Sequence, residues 1–377
     1  MKILIDARWL GSNPGGIGIY MYDFILELHK DGRFEITLLT DLAASQEMKH
    51  LAQLEVPIIT YGKEVRESAQ VLKYFHFIQD SLDFYKPDLF WEPNNIIPIK
   101  LLRYEGKFMV TIHDIFPITD PETYGTIYSA YFKHCLKKTL KQADMIAFDS
   151  VESKTNLERF FPQSKDLSHY ISYIIVHKPN VDRQPVSPDV FFKDVKIDGQ
   201  DYFLYLGTIE RRKGADLLLH AYEKYRSLGG TKLLYLGGAL REQETKELYQ
   251  TVSKRTPGIH ALGYVDEEQK DILYRYCSGF VFPSRAEGFG IPIIEAMHYN
   301  KPILASNLSI FKETSGDAIN YFDINTSPEE QINNLANAML NLTSADLAAY
   351  RTVTARYTSE ELGRGFCDYI YSAVTEH

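Results

Sequence analysis

The sequence predicts an α/β protein of two doubly wound domains, each a parallel sheet covered by helices on both faces. Three observations carry that expectation. The 377 residues exceed the roughly 250–300 beyond which a single core stops growing. Short apolar, β-branched runs alternate with helical periodicity from one end to the other. Residues 178–200, with Pro179, Pro185, Pro188, Gly199 and no clear period, read as a linker between two halves.

In the first half, strands are expected at 2–5, 35–39, 88–91, 108–112, 145–148 and 171–176. Helical spacing fits 17–29, 71–85, 124–141 and 151–161. In the second half, strands fit 202–206, 232–236, 279–282, 302–305 and 318–321. Helices fit 215–227, 242–254, 267–276 and 292–299, and a last helix fits 358–374. Continuous apolar strands alternating with helices mean parallel sheets buried on both faces.

Composition narrows the function. A net charge of −9 argues against nucleic acid as the main partner, because phosphate binding needs a surplus of Lys and Arg. Neither half is basic: residues 1–190 hold 21 Lys and Arg against 25 Asp and Glu, and the remainder holds 20 against 25. No apolar run approaches the ~18 residues of a membrane span, and Asp6 interrupts any apolar leader, so a cytoplasmic protein is expected. Cys135, Cys277 and Cys367 are odd in number and widely spaced, as buried thiols in a reducing compartment would be.

Ligands of doubly wound sheets sit beyond the carboxyl ends of strands, so chemistry belongs in strand-to-helix loops. Four such loops stand out. The first, Gly11-Ser12-Asn13-Pro14-Gly15-Gly16-Ile17-Gly18, opens a long helix and suits an anion or a sugar, although a plain turn would select glycine too. The second ends a buried strand in His113-Asp114, a costly pair unless its polar groups are used or satisfied. The third runs Gly207-Thr208-Ile209-Glu210-Arg211-Arg212-Lys213-Gly214, three successive cations between strand and helix, without the spacing of a P-loop. The fourth is 282–296, in which Glu287, Gly288, Phe289, Gly290 and Ile291 precede Pro292 at the first position of a helix that carries Glu295. Its amides form a second anion site. Glu295 either complements the helix dipole or accepts hydrogen bonds from paired hydroxyls such as those of a ribose.

With these residues in view, the chain resembles family 4 of the retaining glycosyltransferases. Glu287-Gly-Phe-Gly followed by Glu295 is the most specific part, and Pro14-Gly15-Gly16, His113-Asp114, Lys178-Pro-Asn-Val-Asp182, Lys213-Gly214 and Gly263-Tyr264-Val265 match in order. The resemblance spans essentially the whole chain. It implies the GT-B fold, two facing Rossmann-like domains, with 1–185 on the acceptor side, 186–357 binding the nucleotide sugar, and 358–377 packing back on the first domain. It implies that Gly15 and Gly16 offer amides near the donor diphosphate and the acceptor, and that His113 contacts the transferred sugar or its phosphate. Lys213 would hold the diphosphate, Glu287 the sugar hydroxyls, Glu295 the ribose, and the backbone at Tyr264 and Val265 the nucleobase. The family's usual Arg after the strand glycine is Thr208 here, in a loop one residue shorter, so Arg211 or Arg212 supplies that cation.

Sugar transfer builds negative charge on the departing phosphate. No Asp-x-Asp occurs in the sequence. Two helix N-termini with Lys213 and Arg212 could neutralise that charge as pre-aimed donors, so no metal and no cofactor are expected. The stretches around His113 and Lys213 resemble those of bacterial mannosyl- and rhamnosyl-transferases of surface polysaccharides, which ranks GDP-mannose first, dTDP-rhamnose second and UDP-hexoses third. A GT-B sugar-nucleotide epimerase, a dinucleotide-dependent dehydrogenase and a non-catalytic sensor are rival readings, the dehydrogenase being disfavoured by the missing ribose acid in the first half.

The acceptor expected is a glycan or lipid-linked glycan, reached by weak peripheral contact at the inner membrane surface. Two segments could make that contact. Residues 71–85 carry Tyr74, Phe75, Phe77, Ile78, Leu82, Phe84 and Tyr85, which either pack in the core or meet headgroups. Lys133, Lys137 and Lys141 line one helix face opposite Phe132, Leu136 and Leu140, as either a solvated face or an anionic-membrane contact.

Overall fold

The computed structural model describes residues 1–12, 14–65, 68–97, 104–179, 191–192, 195–196 and 200–376. They form two compact units, Met1–Ile175 with Tyr357–His377, and Val176–Arg356. The expected boundary at 185/186 and the Asn180, Val181 and Asp182 of the matched segment lie outside the described residues, as does Asn13.

The first unit is a seven-stranded sheet of β1 (Lys2–Asp6), β2 (Glu35–Thr40), β3 (Ile58–Thr60), β4 (Leu89–Glu92), β5 (Lys107–Ile112), β6 (Met145–Phe148) and β7 (Ser168–Ile171), in the order β3-β2-β1-β4-β5-β6-β7. Every neighbouring pair is parallel. Strand order reverses between β1 and β4, the point at which such sheets bind ligands. β4 and β6 are buried along their whole length, which is why both read as uninterrupted apolar runs. β7 sits at the sheet edge with its first half exposed, so Ser168 and His169 carry no apolar signal and the strand lies earlier than the expected 171–176.

Its helices are α1 (Gly16–Asp31), α2 (Gln46–Gln53), α3 (Ser68–Tyr85), α4 (Phe116–Thr119), α5 (Pro121–Tyr124), α6 (Thr126–Gln142) and α7 (Val151–Phe160). The single helix expected over 124–141 is broken at Gly125, whose φ of 84° lies outside helical space. On α3 the rings of Tyr74 and Phe75 and the side chains of Ile78 and Leu82 lie in the core, which leaves Phe84 and Tyr85 as its exposed rings.

The second unit holds a short antiparallel pair, β8 (Phe191–Phe192) and β9 (Val195–Lys196), and a six-stranded parallel sheet. Its strands are β10 (Tyr202–Leu206), β11 (Leu233–Gly237), β12 (Ile259–Gly263), β13 (Gly279–Phe282), β14 (Ile303–Ser306) and β15 (Asn320–Phe322), ordered β12-β11-β10-β13-β14-β15. The reversal here lies between β10 and β13. The helices are α8 (Ala215–Ser227), α9 (Gln243–Arg255), α10 (Glu267–Tyr276), α11 (Ile291–His298), α12 (Ser309–Ser315), α13 (Pro328–Leu340) and α14 (Leu347–Thr354). Reciprocal capping boxes, Asp266 with Gln269 and Ser327 with Glu330, define the starts of α10 and α13.

The C-terminal helix α15 (Ser359–Thr375) packs on the first unit. Phe366 lies between Phe24 and Trp91, with ring centroids 4.3 and 5.4 Å away. Tyr369 stacks on Tyr170 at 5.2 Å, and Asp368 takes a 2.6 Å hydrogen bond from Arg33. All three cysteines are free and buried. Among the described residues no helix is long and apolar enough to cross a membrane.

Candidate functional site

In the second unit the loop after β10 is held against the turn after β13. Gly214 starts α8 with φ 72°, and a Cβ there would run into the carbonyl of Pro283, so only glycine lets the two segments meet. Arg285 clamps them. Its amide donates to the Arg212 carbonyl at 2.9 Å, and its guanidinium donates to the Arg211 carbonyl at 2.6 Å and to both oxygens of Asp216 at 2.6 and 3.0 Å.

This clamp brings Lys213 to Glu287 across the β10–β13 reversal. The ammonium lies 2.6 Å from Oε1 and 2.8 Å from Oε2, with the side chains 17% and 8% exposed. Ser284 donates to Oε1 at 2.7 Å, and its own carbonyl accepts the Ser306 hydroxyl. Arg212 turns inward to the Ala286 carbonyl at 3.0 Å and Glu210 at 2.9 Å. Arg211 is exposed, with Asp216 and Glu244 both 3.9 Å away. Of the two arginines, Arg212 is the one carried into the Lys213–Glu287 turn.

A cavity of about 350 Å³ opens at the ends of β10, β11 and β12, with Pro292 and Glu295 of α11 in its lining. Thr208, Tyr264, Val265 and Glu295, four of the expected donor-binding residues, share its lining. Lys270 and Arg241 join them there. Glu295 is pinned from two sides: Lys270 lies 2.8 Å from Oε1, and the Tyr274 hydroxyl donates to Oε2 at 3.0 Å. Burial opposes the charge on Lys270, but Glu295 and Glu267 outweigh it and raise its pKa. Each Glu295 oxygen keeps a lone pair, the arrangement a vicinal diol requires. Gly290 caps α11 with φ 96° and no side-chain hydrogen bond, and Pro292 is the second helical residue rather than the first. The Phe289 ring is buried, so within the expected stretch of Gly288, Phe289, Gly290 and Ile291 this ring is not presented to a ligand.

In the first unit Gly15 and Gly16 front open space: a Cβ on either would meet nothing within 4 Å, and neither has positive φ. Among the described residues nothing requires glycine at these two positions. Gly18 differs, because a Cβ there would lie 2.5 Å from the Trp9 carbonyl oxygen. His113 is buried. Its Nδ1 is 3.2 Å from Asp149 Oδ2 and its Nε2 2.9 Å from the Pro93 carbonyl, while its amide donates to Asn95 at 2.7 Å. Since the carbonyl can only accept, Nε2 carries a proton, and the Nδ1–Asp149 contact holds another. Burial opposes the imidazolium, but the hydrogen bond and charge of Asp149 prevail and raise the His113 pKa. Both ring nitrogens are thus engaged inside the unit, so a bond from either to a sugar requires one of these contacts to be given up. Asp114 accepts the Phe116 amide at 3.0 Å, closing the turn into α4.

Several residues with a part here left no trace in the sequence reading. Asp149, Asn95, Arg285, Asp216, Lys270 and Tyr274 position the expected residues from far along the chain. At the β1–β4 reversal the register Ile5↔Trp91 sets Asp6 beside Glu92, both buried. Tyr74 donates to Asp6 Oδ1 at 2.6 Å, and among the described residues neither Asp6 Oδ2 nor Glu92 Oε1 has a hydrogen-bond partner. Burial first, then the charge of Asp6, raises the Glu92 carboxyl well above its ordinary range, with Arg8 opposing.

Two units built on the 3-2-1-4-5-6 strand order define the GT-B fold, the fold of a large class of sugar-transferring enzymes. Within that class the chain resembles bacterial polysaccharide mannosyltransferases. Residues 187–352 match the family model described as glycosyl transferases group 1. O-antigen chain mannosyltransferase B of Escherichia coli is 31% identical over 236 residues, 62% of this chain and 61% of that protein. The chain therefore spans about three fifths of that relative. O-antigen chain mannosyltransferase RfbU of Salmonella typhimurium is 22% identical over 96% of this chain and 97% of its own length. Among solved structures, Anabaena Alr3699/HepE in complex with UDP-glucose superposes with a TM-score of 0.72 at 16% identity, covering 99% of this chain and 100% of that one.

Proposed function

We propose that the chain is a metal-independent, retaining glycosyltransferase that moves a hexose from a nucleoside-diphosphate sugar to a glycan or lipid-linked glycan. The observation that carries this reading is the cavity at the ends of β10–β12, whose lining brings Glu295, Tyr264 and Val265 together with Thr208 of the loop that also carries Lys213. In this reading the ribose hydroxyls bond the two Glu295 oxygens, and the base lies against Tyr264 and Val265. Lys213 has three ammonium protons and turns one onto the diphosphate. Arg212 and the uncapped amides at the start of α11 complete the neutralisation of the leaving group, work done elsewhere by a divalent cation. Glu287 orients hydroxyls of the transferred sugar. The phosphate oxygen that departs takes the acceptor's proton, so attack and departure share one face. The first unit serves the acceptor, with the open amides of Gly15 and Gly16 and the buried His113 on the donor side of that task.

GDP-mannose is the favoured donor, followed by dTDP-rhamnose and UDP-hexoses. The names of the two O-antigen mannosyltransferases support that order. The UDP-glucose bound by Alr3699/HepE keeps UDP-hexoses in the ranking. The place of action proposed is the cytoplasmic face of the inner membrane.

Thermal unfolding in GDP, UDP and dTDP, followed by transfer assays from the matching labelled sugar with and without EDTA, tests the whole reading. GDP should stabilise most, and transfer should survive chelation. Stabilisation by UDP alone overturns the donor ranking, and loss of transfer in EDTA with recovery in magnesium overturns metal independence.

A further inference from the structure

The loops after β10, β11 and β12 are locked together at the cavity that Glu295 lines. The Gly238 amide donates to the Gly263 carbonyl at 2.8 Å, and the Ile209 amide donates to the Ala239 carbonyl at 2.9 Å. Gly238 holds φ 144°, and a Cβ there would run into the Gly207 carbonyl, so only glycine lets these loops close up. Leu240 forms a further bridge to Ile209. Arg241 thus follows a backbone pinned from both sides, and it lines the cavity together with Tyr264 and Val265. Among the described residues two cations line this cavity, Arg241 and Lys270. Lys270 is already engaged, 2.8 Å from Glu295 and 2.8 Å from Glu267. Arg241 is exposed, and among the described residues its guanidinium has no ion pair or hydrogen bond. Tyr264, on the neighbouring loop, leaves its side chain 81% exposed.

We infer that Arg241 selects the base of the donor and that this base is guanine. An aromatic ring beside an uncommitted guanidinium can stack a base and read its edge at once. Guanine carries two neighbouring acceptors, O6 and N7, which the guanidinium fork meets with two parallel hydrogen bonds. Uracil and thymine present O4 alone on that edge, beside a ring C–H in uracil and a methyl group in thymine, so one arm of the fork goes unanswered. The diphosphate is not the partner of Arg241, because the cations proposed to hold it, Lys213 and Arg212, lie outside the described lining of this cavity. This deepens the donor part of the proposed function and rests on it for the placing of the base against Tyr264. A side chain that reads guanine favours GDP-mannose on chemical grounds, independently of what the relatives are called.

Dissociation constants of GDP, UDP and 7-deaza-GDP, measured by titration calorimetry on the wild type and on Arg241→Leu, test the assignment. A good bidentate contact to a base discriminates by roughly 5- to 150-fold, so the wild type should bind GDP at least about fivefold more tightly than UDP. Arg241→Leu should remove that margin by weakening GDP while leaving UDP as it was. The substitution breaks no internal contact, since Arg241 is exposed and unbonded. 7-Deaza-GDP lacks the N7 acceptor, so it should bind the wild type more weakly than GDP does and bind Arg241→Leu as GDP does. Wild-type affinity for UDP equal to or above that for GDP overturns the inference. So does an equal loss of GDP and UDP in Arg241→Leu, the sign of a phosphate contact, or 7-deaza-GDP held by the wild type as tightly as GDP. Each of these outcomes leaves a nucleotide-binding chain, whereas one that binds none of the three compounds fails the proposed function as well.

Discussion

The Lys213 ammonium straddles both oxygens of the Glu287 carboxylate, at 2.6 and 2.8 Å, and so ties the loop after β10 to the turn after β13. The pair is mostly withdrawn from water, and removing one member strands the other. Lys213→Met keeps the stem over the Phe282 ring but leaves Glu287 with Ser284 as its remaining side-chain donor among these contacts. A loss of about 1–3 kcal/mol of stability is expected, measured by urea unfolding. Lys213→Met with Glu287→Gln should recover part of it. A double variant as unstable as the two single losses added together would show that the residues act independently. Nucleoside-diphosphate affinity should stay low in both.

Gly16 and Gly18 are two residues apart and answer to different constraints. Gly16→Ala meets open space on a helix, so stability should hold or rise by up to ~1 kcal/mol from helix propensity. Transfer should nonetheless fall, because the methyl occupies the space reserved for a ligand. Gly18→Ala drives a Cβ into the Trp9 carbonyl and should cost roughly 1–3 kcal/mol in stability. Melting temperatures and transfer rates measured side by side decide it; a Gly16→Ala variant with wild-type transfer sinks the proposed ligand contact.

Glu92 has a raised pKa in the folded chain, so its contribution to stability is full below the ordinary glutamate value and is lost as pH rises through the folded one. Glu92→Gln imitates the protonated carboxyl beside Asp6. Its melting temperature should match the wild type in acid and exceed it increasingly toward neutral and alkaline pH. Parallel pH curves for the two proteins would refute the protonated assignment.

The His113–Asp149 contact shifts stability in the same sense. The imidazole pKa is raised above 6.5 by Asp149 against burial, and burial raises the Asp149 pKa too. The pair therefore holds a proton that the unfolded chain releases above about pH 6.5, and its stabilisation declines as pH rises from there. Asp149→Asn should flatten that decline and lower transfer through a reoriented ring. An unchanged alkaline slope in a denaturation series would count against the shared proton.

How far the sequence showed these features depends on how local their causes are. Met145–Phe148, Tyr202–Leu206 and Gly279–Phe282 are buried on both faces, so composition alone marks them. β3 and β12 alternate less regularly and are only partly buried, and no such run marks them. The Gly125 break was written as a glycine in an otherwise continuous period, which a helix tolerates in some contexts. At the site, Lys213, Glu287 and Glu295 stand in a readable spacing because one loop and one helix start hold them. Their partners do not. Arg285 meets Asp216 across 69 residues, and His113 meets Asp149 across 36, through strand order rather than local pattern.

The placement of α15 also bears on how the chain is made. Although it follows the whole of the second unit in the chain, α15 completes the unit that contains β1, since Phe366 covers Phe24 and Trp91. All of Val176–Arg356 is synthesised in between. At about 5–20 residues per second, the first sheet waits roughly ten to forty seconds with that side of its core open. Chains arrested after Arg356 should therefore be cut by protease within the first unit while the second resists, and release of α15 should close the difference. A nascent first unit already resistant at that length would mean that α15 adds nothing its neighbours had not supplied. Otherwise the seventeen residues of α15 act as a completion signal, closing the first unit only after the second has been made.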